Sequence, residues 1–179
     1  EAVDRVLSMH EENYSEHQEI LNPFIEEART AYKEQRVLGA QRALQFGGEQ
    51  LKKHQMRMYN CTSSYADRPA FFGEFFYILL CGAGAGFSVQ THHVAKLPKI
   101  QQRTKQAKGY IVEDSIEGWA SALDVLMSSY FVGDSKHPDY EGRRVFFDLS
   151  NIRPKGAKIS GGFKAPGPEG LRKSLDKIE

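Results

Sequence analysis

Apolar residues recur at three- and four-residue spacing over residues 116–130, which is the repeat of an amphipathic helix. The members of this stripe are Ile116, Trp119, Ala120, Leu123, Met127 and Tyr130. Just before it, Asp114 and Glu117 have the spacing of a capping pair, so we expect the helix to begin there. Residues 70–80 are apolar on nearly every side and follow a turn at Pro69, which predicts a second helix that is buried.

The first part of the chain is expected to be helical. Asn22 followed by Pro23 combines a capping side chain with a proline at the first helical position, so we expect a helix to start there. The helical pattern decays at Gly47 and Gly48, which predicts a helix end.

Alternating apolar and polar residues predict the strands. They are residues 55–63, which include Cys61, a short strand after the glycine turn of residues 82–86, a strand that ends within residues 110–115, and residues 143–150. Residues 151–170 form a long loop rich in glycine and proline, and such loops are generally functional or disordered. Because strands alternate with helices and no internal repeat is visible, we expect a mixed α/β fold.

Composition narrows the class of protein without selecting a function. The 179 residues are 40% hydrophobic and 26% charged, which suits one globular domain with a core. The formal charge of +1 provides no global field for nucleic acid or membrane. No apolar run reaches the roughly 20 residues of a bilayer span. The chain begins with Glu1 and its last residues read as an interrupted helix, so we expect a piece of a longer chain.

Cys61 has two interpretations. It is flanked by Asn60 and Thr62, polar residues that suit the wall of a pocket and hence a redox thiol. The alternative is a small buried side chain, since free cysteine is among the most buried residue types. Cys81 falls at the far end of the predicted helix and is expected to be structural. Two cysteines do not make a disulfide framework, so a reduced, cytoplasmic protein is the default.

Two further motifs indicate ligands only weakly. The stretch CGAGAG, residues 81–86, has the glycines of a dinucleotide site but precedes a strand instead of following one. A purely steric turn, or a turn against some other ligand, fits it better. His92 and His93 have no acid or cysteine at ligand spacing, so we expect no metal site there.

Basic residues concentrate in two stretches. Residues 153–164 carry Arg153, Lys155, Lys158 and Lys164 without an acid and lead toward a helix, which suits a phosphate. The alternative is a solvated basic loop. Residues 99–108 are basic too, but they lack aromatic side chains on which nucleic-acid bases stack.

Four stretches in one order carry more weight than any single motif. They are QRALQFGGEQLKKHQMRMYNC, LLCGAGAGFSVQTHHVAKLP, IVEDSIEGWASAL and DLSNIRPKGAKISGGFKAPGPEGL. Together they cover most of residues 41–171 and resemble the adenosylcobalamin-dependent (class II) ribonucleotide reductases. The likeness is closer to the monomeric type, which reduces ribonucleoside triphosphates.

This resemblance implies a ten-stranded α/β barrel of which the chain supplies the early part. Residues 1–48 would form a helical N-terminal segment and residues 49–90 the start of the barrel. Residues 91–150 would be an insertion that mimics the partner subunit of dimeric relatives. Residues 151–179 would hold the first specificity loop and the start of the following helix.

The resemblance also implies roles on the substrate side. Cys61 matches the cysteine that delivers reducing equivalents, and it would form a disulfide with a partner on a later strand. Asn60, Ala83 and Gly84 match positions beside the substrate nucleotide. A side chain at the glycine turn would occupy the space of the substrate.

A deoxynucleotide effector is implied as well. Asp67 falls near the aspartate that hydrogen-bonds an effector deoxyribose in related reductases. Arg153 resembles the arginine that meets the effector phosphates. Lys155 and Lys164 are added to this effector site by their charge alone.

For the whole enzyme the resemblance implies radical reduction of a ribonucleoside triphosphate. The cofactor would be adenosylcobalamin, the reductant a thioredoxin-like protein and the effector a dNTP. The radical-forming cysteine, the second reducing cysteine and most cobalamin contacts are expected outside this chain, so the piece alone should be inactive. The full-length protein is expected to be a monomer that binds neither nucleic acid nor membrane.

Two other classes of function are considered. The first is a free-standing module that binds a dNTP effector without catalysis. The second is a small basic nucleic-acid binder that uses residues 99–108 and 153–173. The near-zero net charge and the lack of an aromatic platform count against the nucleic-acid binder.

Overall fold

The chain is described by a computed structural model that covers residues 1–159 and 163–179. It divides into two compact units, residues 1–60 and residues 61–179. The mixed α/β class predicted from the sequence is confirmed. In the described part of the chain, no helix combines the length and the apolar character that crossing a membrane would need.

The first unit is helical. Its helices are α1 (Ala2–Asn13), α2 (Gln18–Lys33), α3 (Gln41–Phe46) and α4 (Glu49–Lys53), with 3-10 turns at Ser15–His17 and Gln55–Met58. Arg29 of α2 joins it to α1: its guanidinium lies 2.9 Å from an Asp4 carboxylate oxygen and 2.6 Å from one of Glu11. The hydrogen bond from Arg29 and the nearby Lys33 hold the pKa of Asp4 well below its ordinary value.

Two predictions for the first unit were wrong. The second helix begins at Gln18 and continues through Pro23, although proline cannot donate the backbone hydrogen bond of its position. The predicted strand over residues 55–63 is a 3-10 turn at first and becomes a strand only at Cys61. Local alternation of apolar and polar residues cannot distinguish a strand from a 3-10 turn, because a strand also needs a neighbouring strand to pair its backbone N–H and C=O groups. A helix does end at Gly47, but it is the separate helix α3, because α2 has already ended at Lys33.

The second unit consists of two strand–helix–strand repeats. The first is β1 (Cys61–Tyr65), α5 (Phe71–Leu80) and β2 (Gly84–Ser88), and a single helical turn, α6 (Thr91–Val94), follows. The second is β3 (Lys105–Ile111), α7 (Ile116–Tyr130) and β4 (Arg143–Asp148), followed by α8 (Glu169–Ile178). Strands β1 and β2 pair in parallel, and so do β3 and β4. In the described residues these are two separate two-stranded sheets.

Helix α7 lies at the centre of the core of the second unit. The core comprises Val112, Ala122, Leu126, Leu149, Ile152, Leu171 and Leu175, and Trp119 and Tyr130 pack against it. The predicted helix is confirmed, but its most buried apolar positions are Ala122, Val125 and Leu126, which lie outside the predicted stripe. The cap is Ser115, whose Oγ accepts from the Gly118 amide at 2.9 Å, and not Asp114.

Helix α5 is packed on two sides. Phe71 and Phe75 contact Phe87 of β2, with ring centroids 5.7 and 5.1 Å apart, and Phe72 stacks on Phe131 just after α7. The remaining surface is half-buried, and Leu79 is 44% exposed. The prediction of a buried helix is therefore confirmed in part: Phe71 and Gly73 are buried, and the other residues are half-buried apart from the exposed Leu79.

The long loop after β4 folds back on itself. The Gly156 amide donates to the Ala165 carbonyl at 2.9 Å, the Ala165 amide donates to the Ala157 carbonyl at 2.8 Å, and Lys158 pairs with Lys164 as an antiparallel bridge. Residues 160–162 of the predicted basic loop lie outside the described residues. The two described arms form a ladder, so this part of the loop has defined structure.

Candidate functional site

Strands β1 and β2 present one open face. In the parallel register Cys61 lies opposite Gly84, Ser63 opposite Gly86 and Tyr65 opposite Ser88. Because side chains alternate along a strand, these six positions share a face. The structure thus places the predicted thiol directly beside the predicted glycine turn.

The opposite face of the same pair is covered by α5. Thr62 and Ser64 of β1 lie on this opposite face and are half-buried. On the open face, Cys61, Ser63 and Tyr65 are exposed. Phe87 of β2 packs its ring against α5 on the covered side. Along β1 the side toward α5 is half-buried and the other side is exposed, whereas in β2 Phe87 contacts α5 and is still 54% exposed.

The glycines of the turn differ in what they require. Gly82 has a φ of +84° at the end of α5, a backbone conformation that side chains rarely adopt. A Cβ at Gly86 would meet no atom within 4 Å, so packing within the described chain does not require a glycine there. A purely steric turn explains the glycine at position 82. Contacts within the described chain do not explain the glycine at position 86.

The two cysteines differ in access. Cys61 is exposed at the start of β1, whereas Cys81 is 2% exposed at the end of α5. The buried interpretation is therefore wrong for Cys61 and right for Cys81. Ala83 is 3% exposed, and its amide donates to the Ile78 carbonyl at 3.2 Å. Ala83 could therefore contact a ligand only through its backbone. Asn60 ends the first unit, where its side-chain oxygen accepts from Arg42 at 2.7 Å.

Arg153 has a partner that the sequence did not reveal. Its guanidinium forms an ion pair with Asp114, the residue predicted as a helix cap. Asp114 follows β3 and Arg153 follows β4, and parallel strands bring their carboxyl ends together. That pairing of strands is the signal that links the two residues.

A cavity of about 560 Å³ lies beside the loop after β4. It is lined by Phe147, Asp148, Leu149, Ser150, Ile152, Pro154, Lys155, Pro168 and Arg172. The structure therefore brings the predicted Lys155 together with Arg172 of α8, which the sequence analysis did not assign to the effector site. Lys164 lies on the other arm of the loop, opposite Lys158.

Asp67 lies at the carboxyl end of β1, in another cluster. Its carboxylate contacts Arg68 at 2.8 Å and Lys96 at 3.8 Å. His93 of α6 is close enough for this carboxylate to oppose the lowering of its pKa. Among the described contacts, Asp67 is grouped with these residues and not with Arg153.

The basic stretch of residues 99–108 is partly structural. The Arg103 side chain is 9% exposed, lies 4.2 Å from the ring centroid of Tyr130 and pairs with Glu179 at 2.9 Å. The stretch ends in β3, where Lys108 pairs with Asp139. These contacts remove two of its charges from a surface that a nucleic acid would need.

Comparison with known proteins identifies the family. Residues 86–179 match the family model described as B12-dependent ribonucleotide reductase, insertion domain. The chain therefore belongs to the B12-dependent, class II ribonucleotide reductases, as the resemblance of its motifs predicted.

Individual relatives agree with this assignment. A protein of Mycobacterium phage D29, named "Putative adenosylcobalamin-dependent ribonucleoside-triphosphate reductase", is 26% identical over 177 residues, which cover 82% of this chain and 24% of that protein. The adenosylcobalamin-dependent ribonucleoside-triphosphate reductase of Lactobacillus gasseri is 30% identical over 135 residues, 56% of this chain and 18% of that protein. The chain thus spans about a quarter or less of the curated relatives that it matches.

One solved structure shares the fold. The crystal structure of a B12-dependent (class II) ribonucleotide reductase superposes with a TM-score of 0.76, at 20% sequence identity. The match covers 99% of this chain and 32% of that one. The arrangement of elements is therefore that of part of a class II reductase.

Proposed function

We propose that this chain is part of a ribonucleoside-triphosphate reductase in which the open face of β1–β2 is the substrate side. The observation that carries the proposal is the register of Cys61 opposite Gly84, two exposed residues on the face of β1–β2 that points away from α5. The open space at Gly86 supports it, since a nucleotide that lies against the backbone explains a glycine there. The names of the relatives support the substrate class.

The role proposed for Cys61 is to supply electrons. The C–O bond at the 2′ carbon of the ribose breaks, the hydroxyl leaves as water, and a C–H bond forms. Cys61 and a second cysteine together lose two electrons and two protons and become joined by an S–S bond. A thioredoxin-like dithiol then reduces this disulfide by exchange, which requires an accessible sulfur. The exposure of Cys61 meets that requirement.

Adenosylcobalamin would supply the radical that starts the reaction when it is bound. Among the described residues, no three His, Cys, Asp or Glu side chains are arranged to hold a metal ion. Asn60, Ala83 and Gly84 would border the substrate, with Ala83 contributing backbone alone.

The proposed architecture is the ten-stranded α/β barrel of the family. The parallel strand–helix–strand unit of β1, α5 and β2 is the kind of unit from which such a barrel is built. Residues 1–48, 49–90, 91–150 and 151–179 would be the N-terminal segment, the barrel start, the partner-mimicking insertion and the specificity loop. The insertion-domain match to residues 86–179 supports an inserted region in this part of the chain. A monomer in the reducing cytoplasm follows from the same proposal.

A dNTP effector is proposed to bind through Asp67, Arg153, Lys155 and Lys164. The support is the basic ladder of the loop after β4, with a cavity beside Lys155. Guanidinium and ammonium groups recognise phosphate through charge-assisted hydrogen bonds. Asp67 would accept a hydrogen bond from the sugar.

Replacing Cys61 with Ser in the full-length enzyme tests the catalytic proposal. We expect the variant to lose multiple turnovers with the physiological reductant while dNTP binding is retained. The substitution removes one thiol of the reducing pair and no group of the proposed effector site. The matched control is Cys81→Ala, which changes a buried thiol and should preserve turnover. Wild-type turnover in the Cys61→Ser variant would refute the role and leave a dNTP-binding module without this thiol chemistry as the better interpretation.

A further inference from the structure

The first turn of α5 takes its cap from another helix. Ala70, the residue before the helix, has no side-chain oxygen that could accept from the amides of the first turn. The Glu74 amide donates to the Ala70 carbonyl at 3.1 Å. The Gly73 amide, one residue earlier, donates to the carboxylate of Asp124 on α7. A side chain that is distant in the sequence thus does the work of a local cap.

Asp124 is an acceptor in a fixed place. Its side chain is buried, its Oδ2 lies 3.1 Å from the Lys136 Nζ, and the next two residues of α7, Val125 and Leu126, are fully buried. Burial raises the pKa of the Asp124 carboxyl, whereas Lys136 and the Gly73 amide lower it. A buried charge with one partner gains little stability over an apolar residue. What the carboxylate provides is an acceptor of the sign that the start of a helix favours.

The first turn of α5 is connected to the open face through β2. Phe71 in that turn is 4% exposed, and its ring centroid lies 5.7 Å from that of Phe87. Phe87 follows Gly86, which shares the open face with Cys61 and Gly84. A shift of this turn would therefore move the backbone of β2 along the open face. Cys61 precedes the turn, at the far end of β1.

We propose that Asp124 is a positioning residue for the substrate side. By accepting from the Gly73 amide it fixes the first turn of α5. Through Phe71 and Phe87, that turn holds the backbone of β2 in the place where the nucleotide lies against it. The inference rests on the proposed function of the open face, to which it adds a residue of another helix that touches no reacting atom.

The test uses the full-length reductase and measures kcat and KM for the ribonucleoside triphosphate, together with hydrogen exchange of the amides of residues 71–75. Asp124→Ala removes the acceptor and should raise KM roughly two- to tenfold, the factor that corresponds to one net hydrogen bond. The value of kcat should stay within about twofold, because the thiol is not moved. Exchange over residues 71–75 should become faster.

Two further variants separate positioning from stability. Asp124→Asn keeps a side-chain oxygen for the Gly73 amide and should restore both KM and the slow exchange. Ser129→Ala is the matched control, since it removes a buried hydroxyl of the same helix that donates to the Leu126 carbonyl at 2.6 Å. It should change neither quantity.

Each contrary outcome has a definite meaning. A wild-type KM in an Asp124→Ala enzyme that turns over would overturn the inference and leave the proposed function intact. A lower kcat with unchanged KM would mean that fewer molecules are folded, so the role of Asp124 would be structural only. An equally raised KM in Asp124→Asn would exclude the acceptor as the cause. If turnover does not depend on Cys61, the proposed function fails and the positioning role fails with it, even where faster exchange shows that the cap exists.

Discussion

Gly73 of α5 lies directly against Asp124 of α7. A Cβ at Gly73 would be 2.1 Å from the Asp124 Oδ1 and 2.3 Å from its Cγ, well inside any real contact. The Asp124 side chain is buried and pairs with Lys136 at 3.1 Å, so it is not free to move aside. The absence of a side chain at Gly73 is what allows the two helices to pack around this carboxylate.

Replacing Gly73 with Ala should therefore destabilise the chain. We expect a loss of about 1–3 kcal/mol in the free energy of unfolding, as for other overpacked cores. Urea unfolding of the two proteins measures it. Gly170→Ala in α8 is the control, since a Cβ there meets no atom within 4 Å and alanine should stabilise the helix by up to about 1 kcal/mol. Stability gained at both positions would mean that α5 and α7 do not pack as described.

The ionisation of Asp124 should make stability fall as pH rises. Burial raises the pKa of this carboxyl above its ordinary 3.8, although Lys136 opposes the shift. The folded state therefore binds the proton more tightly than the unfolded state, so Asp124 costs stability above its folded pKa and ceases to do so as pH falls toward 3.8. Asp124→Asn should gain stability relative to the wild type as pH increases from 4 to 7. If the stability difference between the variant and the wild type stays constant across this range, the pKa of Asp124 does not change on folding.

The cap of α7 gives a third prediction. Ser115→Ala removes the acceptor for the Gly118 amide and should cost about 1 kcal/mol of unfolding free energy. Ser115→Asp retains an acceptor and should preserve most of the stability. Thermal unfolding compares the three proteins. Asp114→Ala should not show the loss expected of a cap, and a large loss there with none in Ser115→Ala would restore Asp114 as the cap.

Because Arg153 forms an ion pair with Asp114, substitutions of these two residues should have opposite effects on dNTP binding. Arg153→Ala should weaken it by about 1.5–3 kcal/mol, the range for a hydrogen bond to a charged group. Asp114→Asn should strengthen it by about two- to fivefold, since the carboxylate competes with phosphate and an exposed pair contributes up to about 1 kcal/mol. Calorimetry on the intact protein measures both. Unchanged affinity in Arg153→Ala would remove Arg153 from the site.

Local sequence was sufficient for several elements. The repeat over residues 116–130 predicted α7, and the residues after Pro69 predicted α5. Helical periodicity depends only on residues that are close together in the sequence. It was insufficient for the first strand, since Gln55–Met58 has the same alternation and forms a 3-10 turn. It also missed the path of α2 through Pro23, where the surrounding helix outweighs one lost hydrogen bond.

The sequence by itself determined the family, because four motifs in a fixed order specify it, and it singled out Cys61. Only the tertiary structure decided what stands beside each candidate residue. The register of two parallel strands places Cys61 opposite Gly84, and the ends of β3 and β4 bring Asp114 to Arg153. Such neighbours follow from how separate strands pair and where their ends meet, which is known only once the strands are placed side by side.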